Sequence, residues 1–146
     1  MKNKGIVYEM LKIYGKPTID WMGYEVTTNN RITYHHIVEK HNGGERTIEN
    51  GALLTVIAHQ NLHKIEKSHP ELYDEYQYWF KIINDMKCPP NEEVMGIMYH
   101  LKKRLETALQ VNKIIKEEFD YYDECMKEQI QMVLCQKGII FKKKLA

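Results

Sequence analysis

Five of the seven histidines of this chain lie between residues 31 and 66, and four of those five form two pairs. His59 and His63 stand four residues apart in a segment with a helical apolar period, so both rings project from one helix face and can bind one metal ion. Such a pair is by itself more often incidental surface chemistry. A zinc-protease site does not fit, because its catalytic glutamate would stand where Gln60 is.

The second pair, His35 and His36, stands at the end of a strand-like run from Arg31 to Ile37. Successive strand residues point to opposite faces, but where a strand ends in a loop both rings can line one cleft. A neutral imidazole is a metal ligand, and a second imidazole can act as general base for water. The alternative is a histidine pair buried in the core. The downstream pair and the intervening glycine loop weigh against it.

Taken together, these residues resemble the motif of the HNH endonucleases. That motif has a histidine pair on its first strand, a loop that often holds Gly-Gly, a central asparagine and an H-x-x-x-H helix. The resemblance covers roughly residues 18–66. The matching residues, in order, are His35, His36, Gly43, Gly44, Asn50, His59 and His63.

The resemblance implies a role for each matching residue. His36 would be the general base that takes a proton from the attacking water, and His35, His59 and His63 would bind a single divalent ion. Asn50 would tie the loop to the strands through backbone hydrogen bonds, although in some relatives the equivalent asparagine touches the metal. The ion would neutralise the scissile phosphate of DNA, which we expect to be double-stranded, and stabilise the departing 3′ oxygen.

The metal's identity stays open in the sequence. Three imidazole ligands suit zinc, nickel, cobalt or manganese better than magnesium, which prefers oxygen ligands. The chain belongs with the all-histidine branch and resembles the colicin-type DNases in that respect. Manganese and magnesium stay candidates, because activity and crystallographic occupancy often favour different ions.

Two other functions are compatible with the same motif. One is a catalytically silent HNH-fold module that binds nucleic acid, and the other is a partner-dependent subunit of a phage or defence nuclease complex. The full set of four histidines with Asn50 argues against the silent module. Five flanking basic residues are candidates for phosphate contacts, although plain surface charge is the commoner role: Arg31, Lys40, His41, Arg46 and Lys64.

The secondary structure that the sequence predicts around these residues indicates an α+β, mostly helical fold. In this fold a ββα-metal motif packs against helices, and a long C-terminal helix follows. The predicted elements are a helix over 5–14, a hairpin of strands 22–27 and 31–37, a loop over 39–51, a short strand around 53–56, and helices over 58–67 and 70–84. The motif has no flanking C-x-x-C pair to bind a structural zinc. Residues 70–110 must therefore stabilise it by packing.

Beyond Pro89-Pro90-Asn91, a helical apolar period continues almost to Gly138, as one very long helix or two stacked ones. We therefore expect an HNH nuclease domain over residues 1–90 and a helical extension over 91–146 that packs on it or mediates oligomerisation. A homodimer through this helix is one form of that expectation. Charge along the extension is blocked, basic over 101–116, acidic over 117–128 and basic again from Lys137.

Length and composition set the broad class. A chain of 146 residues with 43% hydrophobic and 28% charged residues is typical of one compact folded domain. The three cysteines are odd in number and far apart, so we expect them to be reduced and structural. No apolar run is long enough for a membrane span and no signal-peptide core follows Met1, so the expected location is the cytoplasm, away from membranes.

Overall fold

The computed structural model describes residues 5–136. The chain divides into two compact units, unit 1 (residues 1–109) and unit 2 (residues 110–146). The helices and strands are α1 (Gly5–Tyr14), β1 (Ile32–His36), β2 (Gly51–Thr55), α2 (Val56–Ile65), α3 (Pro70–Met86) and α4 (Glu92–Gln136), with 3₁₀ turns at Lys40–Asn42 and Ile48–Asn50. The predicted α+β, mostly helical class with a long C-terminal helix is confirmed. The basic end of the sequence, residues 137–146, lies outside the described residues.

The two strands form an antiparallel sheet in which Ile32 lies opposite Thr55 and His36 lies opposite Gly51. The predicted hairpin of residues 22–27 and 31–37 is therefore wrong. Residues 22–27 take part only in isolated bridges, Ile19 with Glu25 and Thr27 with Asn30. β1 pairs instead with β2, all five residues of which are buried.

The buried carboxylate of Asp20 explains why residues 22–27 form no strand. Its Oδ1 accepts hydrogen bonds from the backbone N–H groups of Met22 (2.8 Å) and Tyr24 (2.9 Å), which a strand would need for its ladder. Its Oδ2 accepts from the N–H of Thr55 (2.7 Å), at the junction of β2 and α2. Burial raises the pKa of Asp20 despite these hydrogen bonds. One side chain thus closes a turn and fixes the start of α2.

Helix α2 follows β2 without a loop, because Thr55 ends the strand and caps the helix. Its Oγ1 accepts from the backbone N–H of Ala58 (3.2 Å). Asn30 secures the same turn, since its Oδ1 accepts from the N–H of Ile57 (2.8 Å) and its Nδ2 donates to the carbonyl of Glu25 (3.0 Å). The relative orientation of strand and helix is therefore fixed by hydrogen bonds on both sides of the junction.

The core of unit 1 packs α1, α3 and the first turns of α4 around the sheet and α2. Trp21 lies at its centre, with its ring edge-on to Tyr14 at 5.1 Å between centroids and 6.5 Å from Phe80. Helix α4 is a single helix, capped by Asn91, and contributes buried residues over 94–108. Unit 1 therefore includes the first turns of α4. Within residues 5–136, no helix has both the length and the apolar character to cross a membrane.

Replacing Asp20 with alanine should lower the free energy of unfolding by about 3 kcal/mol, because three buried or partly buried N–H groups lose their acceptor. Urea denaturation at unchanged m-value measures this loss. Asp85→Ala is the matched control, since it removes only an exposed ion pair with Lys81 and should cost under about 0.5 kcal/mol. Equal losses in the two variants would contradict the structural role assigned to Asp20.

Candidate metal centre

Three histidines of unit 1 converge on one point. His35 lies on β1, His59 and His63 lie one turn apart on α2, and one ring nitrogen from each lies within 4.8 Å of the other two. The rings of His59 and His63 stack with centroids 4.9 Å apart, and His35 meets His59 edge-on at 5.0 Å. These three side chains are close enough to bind a single metal ion.

The hydrogen bonds around His35 assign its tautomer. Gln77 on α3 donates from Nε2 to the carbonyl oxygen of Ile37 (2.6 Å), so its Oε1 must be the atom that faces His35. This oxygen lies 2.8 Å from Nε2 of His35, which is therefore the protonated nitrogen. Nδ1 of His35 is left with a lone pair, and it points toward the other histidines.

His59 is oriented in the same way by Thr33. The Thr33 hydroxyl donates to the carbonyl of Leu54 (2.8 Å), so its oxygen accepts from Nδ1 of His59 (3.3 Å). The lone pair of His59 is consequently on Nε2, and this atom lies 3.2 Å from Nδ1 of His35. In this pair of tautomers two lone pairs face each other, an arrangement that a shared cation stabilises, whereas the other tautomer of His59 donates from Nε2 to Nδ1 of His35.

The third imidazole completes the set. Nδ1 of His63 lies 3.1 Å from Oε1 of Glu66, and a carboxylate only accepts, so Nδ1 carries a proton and Nε2 of the neutral ring carries the lone pair. Metal-binding histidines in proteins donate their other ring nitrogen to a carbonyl or carboxylate oxygen, or to a similar acceptor, in this manner. With neutral rings, each histidine can therefore offer one nitrogen to a divalent ion.

Burial keeps two of these rings neutral. Desolvation lowers the pKa of His35 to about 3, and the neighbouring histidines lower it further while the Gln77 hydrogen bond opposes them. The pKa of His59 is also lowered, by burial first and then by His63 and His36. Burial therefore favours the neutral, metal-binding form of both rings. The donor set fits a soft or borderline divalent ion such as zinc.

His36 is the last residue of β1 and lies on the wall of the same cleft as the three converging histidines. The cleft has a volume of about 340 Å³. The His36 ring packs edge-on against Tyr34 at 4.9 Å, and within residues 5–136 neither of its nitrogens forms a hydrogen bond with a side chain or the backbone. Its nitrogens are thus available to a molecule in the cleft.

Asn50 holds the loop that follows β1. Its Oδ1 accepts from the N–H of Val38 (2.7 Å), and its Nδ2 donates to the carbonyls of Val38 and Glu45 (both 3.0 Å). Its own carbonyl accepts from the N–H of Ile37 (2.8 Å), next to His36. Asn50 does not line the cleft. The same loop requires glycine at position 44, because a Cβ there would lie 1.7 Å from the Val38 carbonyl oxygen.

Sequence reasoning missed several residues that surround the histidines. Glu66 caps the C-terminus of α2 three residues after His63, and Thr33 lies two residues before His35 on one strand face, so spacing alone could have indicated both. Gln77 is 42 residues from His35 and has no local signal.

The carboxylate of Glu39, which lies on the cleft wall, likewise has no local signal in the sequence. Tyr73, 34 residues away on α3, donates to Oε2 of Glu39 (2.5 Å), and this hydrogen bond lowers the pKa of Glu39. Of the flanking basic residues, Lys40 and His41 line the cleft, whereas the guanidinium of Arg46 lies over the Tyr34 ring at 4.6 Å.

Comparison of the chain with protein-family models, with curated proteins and with solved structures gives no match. Any functional assignment therefore depends on the geometry and chemistry of the site itself.

Replacing Gln77 with leucine should weaken Zn²⁺ binding by about 10- to 100-fold, because the buried N–H of His35 loses the acceptor that orients the ring. Gln77→Glu keeps an oxygen at that position and should bind Zn²⁺ at least as tightly as the wild type. Isothermal titration calorimetry measures both affinities, and the exposed Gln60→Leu is the control. Similar affinities for Gln77→Leu and the wild type would show that the assigned tautomer has no part in metal binding.

Proposed function

We propose that this protein is a metal-dependent endonuclease of the HNH type that hydrolyses phosphodiester bonds in DNA. The observation that carries the proposal is the combination of two features in one cleft. Three imidazoles present converging lone pairs, and a fourth imidazole, that of His36, lies beside them without a hydrogen-bond partner among residues 5–136. A structural metal site needs no such additional base, whereas hydrolysis does.

His35, His59 and His63 would bind one divalent ion, with zinc, nickel, cobalt and manganese favoured over magnesium by the nitrogen ligands. When bound, the ion supplies positive charge that neutralises the scissile phosphate and stabilises the departing 3′ oxygen. Thr33 and Gln77 hold two of these rings in the tautomer that binds it. Because these two residues lie on β1 and α3, the packing of unit 1 determines the geometry of the site.

His36 accepts a proton from the attacking water in this mechanism. Its backbone is held on one side by pairing with Gly51 in the sheet, and on the other side by the hydrogen bond from Ile37 to Asn50. Tyr34 limits rotation of the imidazole. Lys40 and His41 stand on the same wall and offer donors to the phosphates on either side of the cut.

Cleavage of supercoiled plasmid DNA by the full-length protein with Mg²⁺, Mn²⁺, Co²⁺, Ni²⁺ or Zn²⁺ tests the proposal. We expect nicking with at least one ion, 5′-phosphate ends that DNA ligase can reseal, and a loss of roughly 100-fold or more in His36→Ala, since general-base catalysis contributes about that factor. His100→Ala, an exposed histidine outside the cleft, should cleave like the wild type.

Calorimetric Zn²⁺ binding separates catalysis from metal binding in the same proteins. His36→Ala should bind Zn²⁺ like the wild type, because His36 is not a ligand. If the wild type binds the metal but cleaves no substrate with any ion, the nuclease proposal is wrong and a nucleic-acid-binding role replaces it.

A further inference from the structure

The part of α4 that belongs to unit 2 carries an exposed apolar stripe. Phe119 and Tyr122 are 70% and 67% exposed, and Ile115 and Met126 are 60% and 55% exposed. Large side chains exposed in a continuous stripe mark a binding surface, whereas single exposed apolar residues are ordinary. Unit 2 offers no second described element that could cover this face.

The stripe follows a heptad repeat. Positions 112, 115, 119, 122, 126, 129 and 133 alternate in steps of three and four, which is the spacing of the a and d positions of a coiled coil. Five of these seven positions are apolar. The two polar ones, Asn112 at an a position and Gln129 at a d position, restrict which register a partner helix can adopt.

We infer that residues 112–129 form an antiparallel coiled coil with a second copy of this chain. In antiparallel pairs each a residue faces a d residue. Centring the pair between residues 120 and 121 places Phe119 against the partner's Tyr122 and Ile115 against the partner's Met126. Asn112 then faces the partner's Gln129. Polar residues oppose polar ones and apolar residues oppose apolar ones in every one of these layers.

The flanking charges select this orientation and register. Lys116 and Asp123 both occupy e positions, and in the proposed register Lys116 faces the partner's Asp123 on each side of the dimer. A slip of seven residues in either direction would bring two Lys116 side chains or two Asp123 side chains together. A parallel pair would place Glu118 opposite the partner's Asp123. Only the proposed arrangement pairs opposite charges.

The ion pairs that Lys116 and Asp123 form within the helix do not oppose the dimer strongly. Lys116 contacts Asp120 at 3.0 Å and Asp123 contacts Lys127 at 3.3 Å, and all four side chains are more than half exposed. Exposed pairs of this kind contribute little to stability. Exchanging these ion pairs within the helix for ion pairs between the two copies therefore costs little free energy.

The dimer does not depend on the proposed nuclease activity. If both hold, one dimer carries two metal centres, which is the number needed to cut both strands of a duplex. The metal centre and the dimer can be tested separately, because the variants below leave all residues of unit 1 unchanged except for the cysteine Cys88.

Sedimentation equilibrium of the full chain tests the interface. We expect a dimer of the 17.4 kDa chain and weakening of dimerisation by more than about 100-fold in Phe119→Glu, which places a charge in the central layer. Lys116→Glu should weaken the dimer roughly tenfold, and adding Asp123→Lys should restore it. Lys113→Glu with Asp120→Lys, both at outward b positions, is the charge-matched control. A wild-type monomer at 100 µM, on the order of ordinary working concentrations, would overturn the inference.

Disulfide trapping tests the orientation in a background in which Cys88, Cys125 and Cys135 are serine. Lys116→Cys with Asp123→Cys should give covalent dimers on mild oxidation. Asn112→Cys should not, because the two copies of this position lie about 25 Å apart in the antiparallel pair, at 1.5 Å per residue. Covalent dimers through position 112 would show a parallel pair and contradict the inferred orientation.

Discussion

Two imidazole nitrogens of unit 1, each with an unshared electron pair, lie 3.2 Å apart. Hydrogen bonds to Gln77 and Thr33 fix the protons of His35 and His59 on the far sides of the rings, and burial opposes protonation of either ring. In these tautomers the contact is unfavourable unless a cation lies between the nitrogens, whereas without a metal His59 can carry its proton on Nε2 and donate it to Nδ1 of His35. Metal binding would therefore stabilise the fold as well as create the site, because the ion binds only where the rings are held together.

The fold provides this contact through short connections. β1 carries His35, β2 lies beside it, and α2 follows β2 with no intervening loop, so both helix histidines are brought directly to the strand. The buried side chains of Asp20 and Asn30 accept hydrogen bonds from the backbone at the junction, and α3 supplies the acceptor for His35. A motif this small has little core of its own. In unit 1, packing by α1, α3 and the start of α4 supplies the core around it.

The helices and the histidine cluster could be predicted from the sequence because their signals are local. Pairs at i, i+4, paired glycines and a proline at a helix start act within one or two turns of chain. The wrong hairpin shows the limit of such reasoning. Residues 22–27 have strand-like composition, but Asp20, whose side chain is held by the N–H of Thr55, 35 residues away, accepts hydrogen bonds from the N–H groups of Met22 and Tyr24. The role of Gln77 could not be predicted from the sequence for the same reason, since its partner His35 is 42 residues away.

The same separation of local and distant information applies to α4. Its helical period is continuous in the sequence, yet nothing in that period shows that residues over 94–108 are buried while Phe119 and Tyr122 are exposed. The number of neighbouring elements makes that difference, and it becomes visible only in the structure.

X-ray absorption spectroscopy at the zinc edge of the Zn²⁺-loaded protein tests the central claim most directly, because it counts the ligands of the ion. We expect one ion per chain with three imidazole nitrogens at about 2.0–2.1 Å, and two imidazoles in His63→Ala. A ligand shell made only of oxygen atoms, or one unchanged by that substitution, would show that the three histidines do not form the metal centre.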